Sequence, residues 1–319
     1  MEKTRLALLS GGVSSERQVS LNSGKKVMEA LDKDKYEITP YDPKTDLKQL
    51  VIDADRIDAA LIILHGPFGE DGTVQGLLDL LDIPYQGAGV LGSAVAMNKL
   101  LAKRLYQGAG IPTPDYLSFS MTDTIDPLKI VETLHLPLVV KPSCAGSSVG
   151  MTIVKAAEDL QEAIDLAFRH DDTLIVEAYI KGIELTCGVL GNDDLEALPV
   201  IEIIPGAGYE FFDYNAKYLP GATQEICPAR INDTITRKVQ ELAVKAHQAL
   251  FLKGYSRTDM ILDHEHMYVL ETNTIPGMTQ TSLYPQSAQV AGYSFTRLLD
   301  KLIQLSISEH QKQKLRRSE

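Results

Sequence analysis

A basic surface is the first thing this chain lacks. Its 319 residues carry 31 Lys and Arg against 43 Asp and Glu, a formal charge of −12. That balance argues against a nucleic-acid partner, because gripping a phosphate backbone takes a concentrated basic face. Only the tail is locally basic, at Lys312, Lys314, Arg316 and Arg317, and it reads as a solvated helix end. Cysteine is scarce: Cys144, Cys187 and Cys227 are odd in number and have no CxxC spacing. Neither a disulfide framework nor a zinc site is expected, and a reducing cytoplasm fits best. Long apolar runs are missing too. Leu6 to Leu9 is too short for the core of a signal peptide, and the longest run, Ala59 to Leu64, is too short to cross a bilayer, so no membrane segment is expected. What remains is ordinary globular composition, 44% hydrophobic and 23% charged with 23 Gly and 15 Pro spread throughout, on a chain long enough for two or three packed lobes.

The N-terminal part alternates short apolar runs (Arg5–Leu9, Tyr36–Tyr41, Ala59–Leu64) with helix-period segments near Ser15–Leu31 and Thr73–Leu81. This is an α/β pattern, a parallel sheet wrapped by helices. Ligands of such sheets gather at the carboxyl ends of the strands. Two unusual loops lie there, Gly11-Gly12-Val13-Ser14-Ser15-Glu16 and His65-Gly66-Pro67-Phe68-Gly69-Glu70-Asp71-Gly72. Ser15 with Gln18 predicts a capping box, which puts Glu16 in the first helical turn, where an acid suits the helix dipole by a few tenths of a kcal/mol to about 1 kcal/mol. That accounts for Glu16 without a function; the alternative is that it holds the ammonium of an amino-acid substrate. His65 and Glu70 stand likewise between a tight turn and a site. Gly87-Ala88-Gly89-Val90-Leu91-Gly92 matches the dinucleotide fingerprint spacing, but its preceding strand carries Pro84 and it does not open the first βαβ unit. It reads instead as the turn into a helix from Ser93 to about Gln107, which crosses to a second lobe and carries Lys99.

In that second lobe Leu138-Val139-Val140-Lys141-Pro142 leads into Ser143-Cys144-Ala145-Gly146-Ser147-Ser148-Val149-Gly150 and then a strand, Met151–Lys155. Strand, small-residue loop and strand make a flap whose N–H groups can close over phosphates, with Lys141 adding charge from beneath. No GKS or GKT follows, so it is not a Walker loop. Glu177, at the end of strand Thr173–Tyr179, and Glu184, beyond Ile180-Lys181-Gly182-Ile183, border a crossing where a nucleoside can lie between lobes. They equally fit as surface acids. Leu185–Leu190 and Leu195–Ile204 are expected to pair, and the aperiodic stretch 205–224, with Phe211-Phe212-Asp213-Tyr214-Asn215-Ala216-Lys217-Tyr218, has the length of a functional lid.

The stretch from Tyr255 to Thr279 reads as two strands joined by a polar turn. Side chains alternate along strands, so an odd-length turn such as His264-Glu265-His266 sets Asp259 opposite Glu271 and Arg257 opposite Asn273, whereas an even turn splits them across faces. Two carboxylates and an amide oxygen on one face call for a hard cation, which points to a magnesium-nucleotide site with an arginine beside it.

Six spaced motifs carry a family resemblance. They are the Gly11–Glu16 run, the His65–Gly72 loop with Gln75-Gly76, Lys141-Pro142 with Gly146-Ser147-Ser148, Tyr214–Tyr218, Arg257-Thr258-Asp259, and Glu271-Thr272-Asn273-Thr274-Ile275-Pro276-Gly277-Met278-Thr279. In this order, over nearly the whole chain, they resemble D-alanine–D-alanine ligases, ATP-grasp enzymes of bacterial cell-wall synthesis. The resemblance implies a three-lobed ATP-grasp fold with an N-terminal parallel-sheet domain: residues 1–93, a central lobe with the flap over 94–181, and a C-terminal lobe with the metal site and lid over 182–319. It implies ATP between the second and third lobes, with Lys99, Lys141 and Ser148 toward its phosphates and Glu177, Ile180 and Glu184 toward purine and ribose. Asp259, Glu271 and Asn273 would hold two Mg²⁺, with Mn²⁺ as the alternative and a monovalent cation as a further candidate. The first D-alanine would have Glu16 on its ammonium and His65 nearby. Arg257 and the Gly277 N–H would face the tetrahedral oxyanion, and Ser282 with the Leu283 N–H would bind the second carboxylate. Ser147 and Tyr218 would link to Glu16 to shut the lid. Lys217-Tyr218 resembles the pair of D-alanine-using members, against D-lactate users. Cys144-Ala145 and Asn98 depart from the usual pattern and put lid contacts and phosphate-side detail in question. Relatives are usually dimers, so a homodimer is expected. The rival readings are a D-alanine–D-lactate or D-alanine–D-serine ligase, a non-catalytic nucleotide sensor, and a dehydrogenase resting on Gly87–Gly92.

Overall fold

The computed structural model describes residues 2–146, 149–206 and 223–318, built on three sheets. The first is parallel, with strand order β2-β1-β3 for β1 (Thr4–Ser10), β2 (Tyr36–Tyr41) and β3 (Ala59–Ile63). Every residue of β3 is buried, as befits a parallel strand covered on both faces. Period two then sorts the side chains. Ala7, Leu9, Ala60 and Ile62 pack with Val74 and Leu78 of α3 (Thr73–Leu80). Leu6, Leu8, Leu61 and Ile63 share the opposite face with Val27 of α1 (Arg17–Ala30) and with Leu298, Leu299, Leu302 and Ile303. Those four leucines and isoleucines come from the last helix of the chain, Phe295–Ser318, so the C-terminal segment closes the first sheet.

The expected capping box is absent. Glu16 is itself the N-cap residue, α1 begins at Arg17, and no side chain caps it. Gln18 instead bonds Asn22 at 3.1 Å, while Ser14 Oγ accepts from the Glu16 N–H at 3.2 Å and donates to the His65 carbonyl at 2.7 Å. Glu16 is thereby fixed by the two loops meeting rather than by its helix. After α2 (Leu47–Ile52) and α3, the helix expected over Ser93–Gln107 is two helices, α4 (Val90–Met97) and α5 (Lys99–Gly108). Asn98 leaves helical geometry between them, at φ −89° and ψ 101°, and its side chain accepts from the Leu101 N–H at 3.0 Å, an N-cap that starts the second helix afresh.

The second sheet is antiparallel, in the order β4-β7-β5-β6, from β4 (Tyr116–Ser120), β5 (Leu138–Pro142), β6 (Thr152–Val154) and β7 (Thr173–Ala178). Helices α6 (Pro127–Leu134) and α7 (Leu160–Phe168) cover one face through Ile130, Leu160, Ile164 and Ala167. The third sheet runs β11-β10-β8-β12-β13, with β9 beside β8: β8 (Ile183–Gly191), β9 (Glu196–Ala197), β10 (Ile201–Pro205), β11 (Thr223–Ile226), β12 (Gly254–Asp263) and β13 (His266–Asn273). The strand expected over Leu195–Ile204 is thus two strands. Helix α8 (Asp233–Ala249) packs Val239, Ala243 and Ala246 on the sheet, and α9 (Leu283–Val290) precedes the last helix, α10.

Of the two turn lengths the sequence leaves open, the β12–β13 hairpin has the even one. Asp263 pairs with His266, so only His264 and Glu265 form the turn, and His264 takes φ 50°, the left-handed geometry of tight two-residue turns. An even turn alone would separate the acids. The register shifts between Asp259 and Met260, Met260 facing Val269 and Asp259 facing Glu271, so Leu270 is an extra residue, a β-bulge. One added residue inverts the alternation beyond it. Asp259 therefore opposes Glu271, and Arg257 opposes Asn273.

Candidate active site

A cavity of about 980 Å³ lies where the sheets meet. Glu16, His65 and Glu70 reach it from the loops of the first sheet; Lys99, Lys141, Glu177 and Ile180 come from the second lobe and its exit; Glu184, Arg257, Asp259, Glu271, Asn273, Gly277, Ser282 and Leu283 come from the third sheet and the start of α9. Every site residue expected from the sequence that is described lines this one space. Ser147, Ser148, Lys217 and Tyr218 lie outside the described residues, as does most of the expected lid. Of the expected stretch 205–224, Pro205 ends β10 and Thr223 and Gln224 open β11; Pro205 and Thr223 are register partners, and Pro205 lines the cavity.

Asp259 accepts hydrogen bonds from three side chains. Arg257 donates to it through Nε at 2.9 Å and Nη2 at 2.7 Å, Asn273 Nδ2 at 3.1 Å, and Thr186 Oγ1 at 2.6 Å. Thr186 is its neighbour across β8. Lys99 Nζ donates to the Ala145 carbonyl at 2.7 Å and sits 3.4 Å from Glu271 Oε2, tying the root of the flap to the hairpin. Each hairpin carboxylate thus already faces a cation, and the pair stands opposed in register with an amide alongside. A donor set of carboxylate and amide oxygens suits a hard divalent ion such as magnesium. Asn98 adds a second link to the flap: its Oδ1 accepts from Ser143 Oγ at 3.0 Å.

On the first-sheet loops, His65 is buried, and its Nε2 has no hydrogen-bond partner among the described residues. Burial lowers its pKa, with Glu16 and the Ile275 backbone acting upward and Arg257 downward, so the ring favours its neutral form. Glu70 accepts from the Gly66 N–H at 2.7 Å, and its pKa is pushed up to about 8, by burial first and then by Glu16. Ser282 occupies the N-cap of α9, its Oγ bonded to the Thr279 hydroxyl at 2.8 Å. N–H groups at a helix start favour an anion such as a carboxylate.

On the second sheet, Glu177 is buried between two lysines, Lys103 Nζ 2.8 Å from one oxygen and Lys141 Nζ 2.8 Å from the other. Burial alone would raise the Glu177 pKa; Lys141 and Lys103 bring it below the usual glutamate range. For Lys103 the pKa is lowered overall, by burial first, with Glu177 acting upward and Lys141 downward. Glu177, expected toward purine and ribose, lines the cavity, and its carboxylate is engaged by these ammoniums.

Thr186 and Lys103 are absent from the set read from sequence, and Glu70 was noted there without a role. Lys103 follows Lys99 by one helical turn on α5, and that i, i+4 spacing was the available signal. Thr186 had none, because only sheet order brings β8 beside β12.

Glu70 carries a pH prediction. Its folded pKa lies above the ordinary value of 4.5, so its contribution to stability is present below about pH 4.5 and is lost as pH rises toward about 8. Glu70→Gln removes that loss. The variant's urea midpoint should draw ahead of the parent's between about pH 5 and about pH 8, then hold a constant lead. A gap independent of pH would show that the carboxyl does not titrate this way.

The D-ala D-ala ligase C-terminus family matches residues 105–304, and the D-ala D-ala ligase N-terminus family matches residues 5–50 and 43–88. A D-alanine–D-alanine ligase of Syntrophobacter fumaroxidans is 58% identical over 308 residues, covering 97% of this chain and 99% of that protein. One of Desulfotalea psychrophila is 54% identical over 310 residues, covering 97% and 96%. Among solved structures, the D-alanine–D-alanine ligase of Bacillus anthracis complexed with ATP superposes with a TM-score of 0.86 at 36% identity, over 97% of this chain and 99% of that one. The VanG D-Ala:D-Ser ligase of Enterococcus faecalis superposes with a TM-score of 0.83 at 35% identity, over 96% and 100%.

Proposed function

Since this chain belongs to the D-alanine–D-alanine ligase family and has its ATP-grasp fold, we propose that it joins two D-alanines at the expense of ATP in the cavity described above. A carboxylate oxygen of the first D-alanine attacks the γ-phosphorus, the bond to ADP breaks, and an acyl phosphate forms. The deprotonated amine of the second D-alanine then attacks the acyl carbon, making the C–N bond and expelling phosphate.

The observation that carries this reading is the polarity of the cavity. Glu16, an acid that suits an ammonium, and the α9 N-terminus, which suits a carboxylate, line the same cavity. Arg257 and the opposed carboxylates Asp259 and Glu271 line it as well. Glu16 holds the first ammonium, beside neutral His65. Arg257 and the Gly277 N–H face the oxyanion that develops on the acyl carbon, and Ser282 with the Leu283 N–H takes the second carboxylate. Lys99 and Lys141 meet the phosphates. Asp259, Glu271 and Asn273 would hold magnesium, which supplies charge neutralisation to the transferring phosphoryl group.

Purified protein with ATP and Mg²⁺ should release ADP when D-alanine is added and not with L-alanine. No ADP release with D-alanine would overturn the reading. The likeness to a D-Ala:D-Ser ligase supports one rival second substrate, so D-serine and D-lactate belong in competition with D-alanine. A mixed dipeptide exceeding D-alanyl-D-alanine at equal concentrations would transfer the assignment to that rival.

A further inference from the structure

The Lys103–Glu177–Lys141 cluster holds two ammoniums and one carboxylate, and they are not equivalent. Lys103 has no exposed side-chain surface, whereas Lys141 is 10% exposed and lines the cavity. Lys103 rises from α5, held 2.8 Å from Glu177 Oε1 with its ammonium 5.3 Å from the centroid of the Tyr116 ring. Tyr116 and Glu177 are register partners on β4 and β7, so ring and carboxylate form one pocket around the buried cation. An ammonium removed from water requires a permanent counter-charge. Glu177 provides it and cannot also cancel the charge of Lys141.

We infer that Lys103 is a positioning residue that engages the Glu177 charge so that Lys141 presents an uncompensated positive charge to the phosphates of the nucleotide. Remove Lys103, and Glu177 and Lys141 become a closed neutral pair at the cavity wall. Lys141 then remains in place but no longer attracts an anion. The inference rests on the proposed nucleotide site and adds to it a residue that touches no ligand.

The test compares equilibrium binding of ADP and of adenosine, whose ratio isolates the phosphates and cancels changes in purine contacts. Lys103→Met should weaken ADP about tenfold relative to adenosine, the scale of one unit charge acting across roughly 10 Å at an effective dielectric constant near 20. Adding Glu177→Gln to Lys103→Met frees Lys141 again and should restore the parental ratio. The double variant leaves only Lys141, whose side chain is 10% exposed and lines the cavity, as a charge at this cluster, so it serves as a foldable comparison if the single variant does not fold. A merely structural ion pair predicts the opposite: both ligands weaken together, and the second substitution rescues nothing. An unchanged ratio in Lys103→Met, or a double variant that keeps a weakened ratio, overturns the inference. Failure of the parent protein to bind either ligand would instead overturn the nucleotide reading itself.

Discussion

Asp259→Asn should reduce D-alanine-dependent ADP release by about a thousandfold, since a metal clamp supplies several kcal/mol to the transition state. Asp259 is the point where the hairpin chemistry converges, accepting from Arg257, Asn273 and Thr186. The amide keeps the shape and one acceptor oxygen but removes the charge. Two consequences separate this from simple damage. The cavity becomes one unit more positive, so binding of ADP without magnesium should be retained or strengthened. Because the site is half-buried polar surface rather than core, the thermal midpoint should stay within a few degrees of the parent. The magnesium concentration needed for half-maximal activity should rise. Activity within tenfold of the parent at saturating magnesium would remove Asp259 from the proposed role.

Gly254→Ala should destabilise the protein by about 2–4 kcal/mol, the sum of a left-handed backbone penalty and an overpacking term. Gly254 has φ +71°, and a Cβ there would stand 2.9 Å from the backbone nitrogen of Gly87, which a rigid peptide cannot yield cheaply. Gly87, also at positive φ, packs its Cα face against the Tyr255 ring, where an added Cβ would meet a ring carbon at 3.3 Å. Gly292→Ala separates the two terms: its φ is +95°, with nothing within 4 Å of the added methyl, so it should cost only the backbone part, about 1–2 kcal/mol. Urea midpoints of the two variants give the comparison, and equal losses would refute the close-approach account. The same geometry explains the fingerprint-like run at Gly87–Gly92: its first glycine is used for packing strand and loop together. Accordingly, NADH should show no binding there.

Much of the site was legible in the residues because its chemistry is unusual locally. Asp259, Glu271 and Asn273 are acids and an amide in strand-like surroundings, and Glu16 closes one glycine-rich loop at a strand terminus while His65 opens another. Their convergence on one cavity agrees with that reading. Other expectations gave way to long-range contacts. The Ser15–Gln18 box yields to Ser14 reaching the His65 carbonyl, and the Ser93–Gln107 helix breaks where Asn98 can serve α5 and Ser143 at once.

Sequence by itself determined the alternation of strand and helix, the apolar faces of β1 and β3, and the identity of the polar groups, because period and side-chain chemistry are local properties. Tertiary structure alone decided that the last helix covers the first sheet, that Leu270 bulges to return Glu271 to the side of Asp259, and that Lys103 meets Glu177. Each of those outcomes depends on which distant surface fills a space or balances a charge, and no spacing along the chain carries that information.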